Sequence, residues 1–371
     1  MKRTLSRREA EYLRQGALIL GCGGGGDPMK GVELIERIYE AGRAITLADF
    51  EDLLDEDIVA TIGYVGGGVS PDELDAVANY VKEGDAVLRA AEELSKLLGK
   101  EIAAFMPVEP GAGNSFVAMY AAAMTGAVTL DADTAGRAKP EIVNSTTSIF
   151  EIPLTPIIIV TDYGDVMVLK EAVDERRVEQ LSRYVARASG GLCVVARCPV
   201  KVKQLKGKVI EGSMGLALAA GRAICEEKRP VEALIKVLEG QRLFEGEISS
   251  FSRREEGGFM WGEIELIGVG DFKKETYKIW FKNENLVGWR NGKVDVTCPD
   301  LIALVDAYSG VGTYNWDDKD FFEGHRCVVI GREADPIWLT PRGLELFGPR
   351  HFGFDFDYRP FRRQGGNVCT G

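Results

Sequence analysis

The sequence predicts two domains: an α/β N-terminal domain on a largely parallel sheet, and a smaller, β-rich α+β C-terminal domain. Three observations carry this. Strand-like and helix-like segments alternate over residues 1–165, the pattern of strands joined by helical crossovers. From Leu243 onward, alternating, β-branched and aromatic segments replace the helices. A chain of 371 residues, 45% hydrophobic and 27% charged, can bury two ordinary cores. The expected division is 1–165 and 166–361, with a mobile tail at 362–371 that has turn-formers and no apolar period.

Each element has its own signal. Ser6 and Glu9 have capping-box spacing ahead of a helix to Leu20, with Leu13, Ala17 and Leu20 on one face. Asp27 and Pro28 open a second helix, carried by Leu34, Ile35 and Ile38 and ending near Gly42. Residues 44–47 and 58–65 read as strands, the latter closed by Gly66-Gly67-Gly68. Ser70-Pro71-Asp72-Glu73 starts a helix, and another runs to about Leu98. Strand 101–106, helix 116–124 and strand 127–130 follow. Residues 157–169 read as two strands around Asp162-Tyr163-Gly164-Asp165, and the domain boundary is set there. Beyond it come helix 171–188, strand 192–196, helices 215–227 and 231–238, and strands 243–252, 260–269, 276–281 and 327–330.

The composition excludes some functions. A net charge of −12 disfavours nucleic acid or an anionic membrane as partner. No apolar run follows the basic start, and the stretch near Pro156–Val160 is far too short to span a bilayer. Seven scattered cysteines without a CxxC pair fit a reduced, cytoplasmic protein. With only His325 and His351, a three-histidine metal site is impossible, so acid–base chemistry falls to carboxylates, lysines, tyrosines or a cysteine.

Three blocks could carry chemistry. In Gly21-Cys22-Gly23-Gly24-Gly25-Gly26-Asp27-Pro28, five of the first six residues are glycine, between two helices. It fails as a dinucleotide fingerprint, having no suitable preceding strand, and lacks the Lys-Ser/Thr of a P-loop. It reads either as an amide cradle for an anion or polar molecule or as a plain helix–helix turn. Cys22 is a nucleophile or zinc ligand, or simply a small side chain in a crowded loop. The block Asp131-Ala132-Asp133-Thr134-Ala135-Gly136-Arg137-Ala138-Lys139-Pro140-Glu141 concentrates charge after a strand. It begins like a calcium loop, but Ala135 and Ile142 stand where oxygen ligands are required. Its carboxylates could bind a metal or substrate and Arg137 a carboxylate, or the block braces the domain with salt bridges. Third, Glu109 offers a general base beside Asn114 and Ser115, which alternatively just cap a helix. His351, in Gly348-Pro349-Arg350-His351-Phe352-Gly353, reads as a structural histidine.

The order of these blocks, with Phe244-Glu245-Gly246, Asn283-Glu284, Cys298-Pro299-Asp300-Leu301, Trp338-Leu339-Thr340 and Gly348-Pro349-Arg350, resembles the S-methyl thiohydantoin desulfurase-like family up to about Pro360. That family is linked to the hydantoinase/oxoprolinase group. The resemblance implies two domains and a small hydantoin- or thiohydantoin-like ring, hydrolysed at a carbon bearing sulfur or nitrogen. The sequence departs from the family pattern at Pro110, Ala112, Ala132, Thr134, Ala135 and Lys139.

On this reading Gly23, Gly24, Gly25 and Gly26, with Asp27, cradle a ring carbonyl or carboxylate, and Asp131, Asp133 or Glu109 activates water. Arg137, Asn114 and Glu141 contact the substrate, and Asp133→Asn abolishes turnover with folding intact. No cofactor is required; a carboxylate-bound divalent metal is the other option. The expected partners are the small-molecule substrate and a second copy of the chain or a hydantoinase/oxoprolinase-type subunit. The rival reading is a non-catalytic partner or small-molecule binding protein. A large exposed apolar patch and a filled, carboxylate-poor pocket favour the rival; a ligand between the glycine run and Asp131–Arg137 favours the enzyme, and side chains filling that gap count against it.

Overall fold

The structure, a computed structural model, describes residues 2–66, 69–82 and 84–360. The expectations for Gly67, Gly68 and the tail 362–371 lie outside these residues. Among the described residues, no helix is long and apolar enough to cross a membrane.

The N-terminal sheet has eight strands, in the order Arg3–Thr4, Thr46–Ala48, Val128–Leu130, Ala104–Pro107, Ile58–Gly66, Leu192–Lys201, Ile157–Thr161, Val166–Leu169. It is mixed rather than largely parallel. Thr46–Ala48, Val128–Leu130, Ala104–Pro107 and Ile58–Gly66 run parallel. Leu192–Lys201 is antiparallel to both of its neighbours. Connection length explains the difference, since parallel strands need a long crossover and antiparallel ones only a turn. Helices Ala86–Leu98 and Asn114–Thr125 supply two crossovers, whereas Asp162–Asp165 is only a turn.

Both faces of the sheet are covered. Ala60, Ile62, Phe105, Ile158, Val160 and Val194 join the core under helices Arg7–Leu20, Pro28–Glu40, Ala86–Leu98 and Asn114–Thr125. Their neighbours Val59, Ala104, Met106, Ile157, Ile159 and Val195 face the opposite core, with Val178 and Ala186 of helix Glu175–Ala188. This two-residue alternation, apolar on both sides, explains the nearly continuous hydrophobic strands.

The expected boundary at 165/166 falls within the turn of a paired hairpin. Chain beyond it returns to the first sheet as Leu192–Lys201, and helix Ser213–Glu226 packs along Arg7–Leu20. The second sheet is wholly antiparallel: Lys293–Thr297, Glu284–Arg290, Thr276–Lys282, Phe259–Gly268, Gln241–Glu256, Arg326–Arg332, Leu301–Asp306. It curls until Glu284–Arg290 approaches Leu301–Asp306. One side buries Phe244, Ile264, Ile279, Phe281 and Val329. Leu301, Ala303, Val305, Val328 and Ile330 instead join the N-terminal helical core.

Candidate functional site

A cleft of about 500 Å³ opens where Ile58–Gly66 and Ala104–Pro107 end. That is the carboxyl edge of the parallel strands, where open α/β sheets bind ligands. Its walls come from both domains: Gly25–Asp27, Glu109 with Asn114, and Lys139–Ile142 meet Arg197 and, from the second sheet, Asn283 and Glu284.

The glycine run is a junction before it is a cradle. The Cys22 carbonyl accepts from Asn285 N at 2.8 Å, and the Gly23 carbonyl from Asn315 N at 2.8 Å. The Gly25 carbonyl accepts from Gly113 N and Asn114 N at 3.2 and 3.0 Å. Of the amides, Gly24 N donates to Gly21 O at 2.8 Å and Gly25 N to Glu284 Oε1 at 3.3 Å. The packing leaves little room for side chains. A Cβ on Gly24 would stand 2.0 Å from Glu284 Oε1. Gly25 has φ +80°, and a Cβ there would stand 2.6 Å from Gly111 Cα. The run thus lets two loops and a strand of the other domain close on one another. Gly26 and Asp27 line the cleft, and Asp27 also caps helix Pro28–Glu40 through Met29 N at 2.8 Å.

Glu109 and Asn114 are held together. Asn114 Nδ2 donates to Glu109 Oε1 at 2.8 Å, while its Oδ1 accepts from Tyr64 N at 3.1 Å. The Lys139 amide donates to Glu109 Oε2 at 3.1 Å. Glu284 enters from the C-terminal sheet because Asn283 turns through the left-handed region at φ 59° and anchors its side chain on Met260 N at 2.8 Å. Glu284 Oε2 is buried without a hydrogen-bond partner among the described residues.

Burial raises the pKa of both carboxyl groups. For Glu109, the Lys139 ammonium and the Asn114 amide oppose the rise. For Glu284, repulsion from Glu109 adds to it, so its pKa rises well above the ordinary value. Such a pair titrates as a unit, and Glu284 keeps the shared proton longer. Lys139 is pushed down to about 8 by burial, against the attraction of Glu109. Its Nζ makes one long hydrogen bond, 3.3 Å to the Glu141 carbonyl.

The other expected site residues lie elsewhere. Asp131 caps helix Ser213–Glu226, accepting from Met214 N at 2.8 Å and Gly215 N at 3.1 Å. Asp133 turns its own loop, accepting from Ala135 N at 2.5 Å and Gly136 N at 2.7 Å, and burial raises it to about 7. Neither lines the cleft. Arg137 is buried and reaches the other domain through Asp300 O at 2.5 Å and Asn285 O at 2.6 Å. Ala138 packs beneath Gly25, so the space between the glycine run and Arg137 is occupied by protein. Glu141 borders the cleft but is engaged by Lys282 and, at 2.9 Å, by His351 Nε2. Cys22 is buried and its thiol is pushed up by desolvation, the opposite of an activated nucleophile. Among the described residues, no group of three or more His, Cys, Asp or Glu side chains could hold a metal ion.

Sequence inspection missed Glu284, Lys139 and Arg197 as site residues. Glu284 had a signal, the polar triplet Asn283-Glu284-Asn285 inside a β-rich region, where an acidic side chain at a buried strand end needs an explanation. A wider groove of about 1560 Å³ lies beyond Glu141 and Glu179. Its charges largely satisfy one another: Arg342 pairs with Glu345, Arg350 with Asp357 and His351 with Glu141.

Comparison with known proteins places this architecture. The S-Me-THD-like N-terminal domain matches residues 8–171 and the S-Me-THD-like C-terminal domain residues 173–361. A crystal structure of a protein from Chromobacterium violaceum shares the fold, with a TM-score of 0.79 and 24% identity over 97% of this chain and 100% of that one. No curated protein matches the chain. Two domain matches that together span nearly all of it establish that the chain belongs to the S-Me-THD-like family.

Proposed function

We propose that this chain hydrolyses a small cyclic amide of the hydantoin or thiohydantoin type in the cleft between its two domains. The observation that carries the reading is the pair of buried carboxyl groups, Glu109 and Glu284, facing one open cavity beside a lysine near neutrality. Two carboxyl groups whose environments separate their protonation supply one base and one acid. Family membership supports the ring as substrate.

Glu109, positioned by hydrogen bonds from Asn114 Nδ2 and the Lys139 amide, takes a proton from water as the oxygen bonds to the ring carbon. Glu284, still protonated, gives its proton to the departing group. For an S-alkylated ring one water is consumed. Its oxygen stays on the carbon as the C–S bond breaks. Its two protons finish on the ring nitrogen and on the sulfur of the released thiol, after Glu109 returns the proton that Glu284 gave. The open, carboxylate-lined cleft favours the enzyme reading, whereas the space between the glycine run and Arg137, filled by protein, counts for the non-catalytic partner or small-molecule binding protein.

The test is incubation of the purified chain with S-methyl thiohydantoin, thiohydantoin and hydantoin, following thiol or sulfide release and ring opening. Release by the native chain that disappears in both Glu109→Gln and Glu284→Gln is expected. Absence of any product from all three rings would overturn the assignment.

A further inference from the structure

Arg137, Arg183 and Arg197 are buried or nearly so, but their surroundings differ. Arg137 donates to three carbonyl oxygens. Arg183 binds Glu179 and donates to the carbonyls of Gly66, Gly258 and Pro140. Arg197, 5% exposed on strand Leu192–Lys201, has no hydrogen-bond acceptor for its guanidinium among the described residues, and its Nη1 is fully buried. Leaving a buried cation unpaired costs several kcal/mol, so such groups are normally matched. Arg197 lines the same cleft as Lys139, whose ammonium has only the Glu141 carbonyl.

The carboxylates that draw on Arg197 are Glu179, Glu109 and Glu175, and none of them hydrogen-bonds its guanidinium. Glu179 is taken up by Arg183 and the Ile142 amide, and Glu141 by Lys282 and His351. What the cleft offers is a planar donor fork without an acceptor among the described residues, with a lysine in the same cleft.

We propose that Arg197 and Lys139 form an anion subsite of the cleft, which holds a ligand bearing one negative charge on a planar group. A carboxylate or the ionised imide edge of the ring itself meets this description, since each presents two acceptors to a guanidinium fork. The choice of ring compounds rests on the hydrolysis reading above; the anion subsite does not. The subsite also differs from the glycine run, where the Gly24 and Gly25 amides are engaged within the protein.

The test measures thermal stabilisation and affinity of the full chain with acetate, hydantoin, N-methylated hydantoin and hydantoin-acetic acid. It compares the native protein with Arg197→Met, Arg197→Lys and Lys139→Met. Without ligand, Arg197→Met should melt no lower than the native chain, because it removes an unpaired buried charge. Its affinity for the anion should fall about 30-fold or more, as for truncation of a buried charge partner. Arg197→Lys should recover part of that loss, and Lys139→Met should weaken binding without abolishing it. Binding of hydantoin that is lost on N-methylation assigns the charge to the ring. Binding of hydantoin-acetic acid alone assigns it to the carboxylate. A ligand-free Arg197→Met that melts well below the native chain makes Arg197 structural and overturns the subsite. So does N-methylated hydantoin binding as tightly as hydantoin-acetic acid. Stabilisation by acetate with every ring inert keeps the subsite and defeats the hydrolysis reading; ring turnover undiminished in Arg197→Met does the reverse.

Discussion

Two clusters of buried charge lie side by side, and they are built on opposite principles. Glu141, Lys282 and His351 tie the domains together, with the Lys282 ammonium also 3.9 Å from the Phe259 ring centroid. Every charged group there has a partner. Hydrogen bonds from His351 and Lys282 outweigh desolvation and hold the Glu141 carboxyl at about 2. Two residues earlier in the chain, Lys139 faces the cleft among Glu109, Glu284 and Arg197. There burial prevails: carboxyl groups rise, Lys139 falls to about 8, and polar atoms of Glu284 and Arg197 lack partners. The first arrangement stabilises the fold. The second weakens it, and a fold retains such a cost where the groups meet something from outside.

The comparison breaks most readily at Glu109 and Glu284. Glu109→Gln and Glu284→Gln should each lower turnover of the ring by about 10²- to 10⁴-fold, the usual contribution of a positioned acid or base. Neither should lower the melting temperature much, because in Glu284→Gln the amide oxygen of the new side chain can still accept from Gly25 N. Rate assays beside thermal melts check both statements. Melts that collapse while residual turnover persists would make this cluster a structural one after all.

The clamp should answer in the opposite way. Glu141→Gln leaves the buried Lys282 without its counter-charge and should cost about 3–5 kcal/mol of stability by denaturant titration. The pH dependence has a definite sign. Glu141 is depressed from 4.5 to about 2, so its contribution is present above pH 4.5 and is lost as pH falls towards 2. The native chain should lose stability through that acid window more steeply than the variant. Identical acid profiles would show that the pair contributes nothing.

Much of the fold was legible in the sequence, because periodicity and caps are local. Ser6 forms the capping box its spacing predicts, Ser70 caps its helix as expected, and Asp27 with Pro28 opens the second helix. The strands at 58–65, 243–252, 260–269 and 276–281 lie where their residues place them. Missed were strands Glu284–Arg290 and Lys293–Thr297, which carry polar and charged residues, and Leu301–Asp306, an apolar run that follows Cys298-Pro299. The parallel half of the sheet was visible through its crossovers. Strand Leu192–Lys201 inserts far from its neighbours in sequence, and no local signal announces that. The site was half legible. Glu109 and Asn114 stood out by residue type, but whether a carboxylate faces a cavity or a helix end depends on tertiary contacts. Asp131 and Asp133 look like reacting groups in sequence and bind backbone amides in the structure.

Asp133 sharpens the contrast: it is buried and perturbed, its Oδ1 accepts two backbone amides and its Oδ2 has no hydrogen-bond partner among the described residues, yet it does not line the cleft. Its carboxyl rises from 3.8 to about 7 through desolvation. Between those values the unfolded chain ionises first, so stability falls as pH rises. Asp133→Asn keeps an oxygen for the Ala135 and Gly136 amides and removes the penalty. It should gain on the order of a few kcal/mol above pH 7, and nothing below pH 3.8, in paired denaturant titrations. Turnover should survive. Loss of turnover with a stable fold would return Asp133 to the reacting groups and displace Glu109.

The smallest effect belongs to Asp131, where the assignment rests on geometry more than on charge. Its Oδ1 receives Met214 N and Gly215 N at the start of helix Ser213–Glu226, and its carbonyl receives Gly212 N at 2.8 Å. Replacement by Ala removes the side-chain cap but leaves the carbonyl contact. The cost should be about 1 kcal/mol, as for a typical helix cap. Asn can accept the same two amides and should recover most of it. The charge itself adds little beyond the amides, because burial raises the carboxyl and the amides only oppose that rise. Rescue by Asn with turnover unchanged is the signature of a cap. A water-activating base would fail with Asn as completely as with Ala, so this pair of variants separates the two roles even where the stability change is slight.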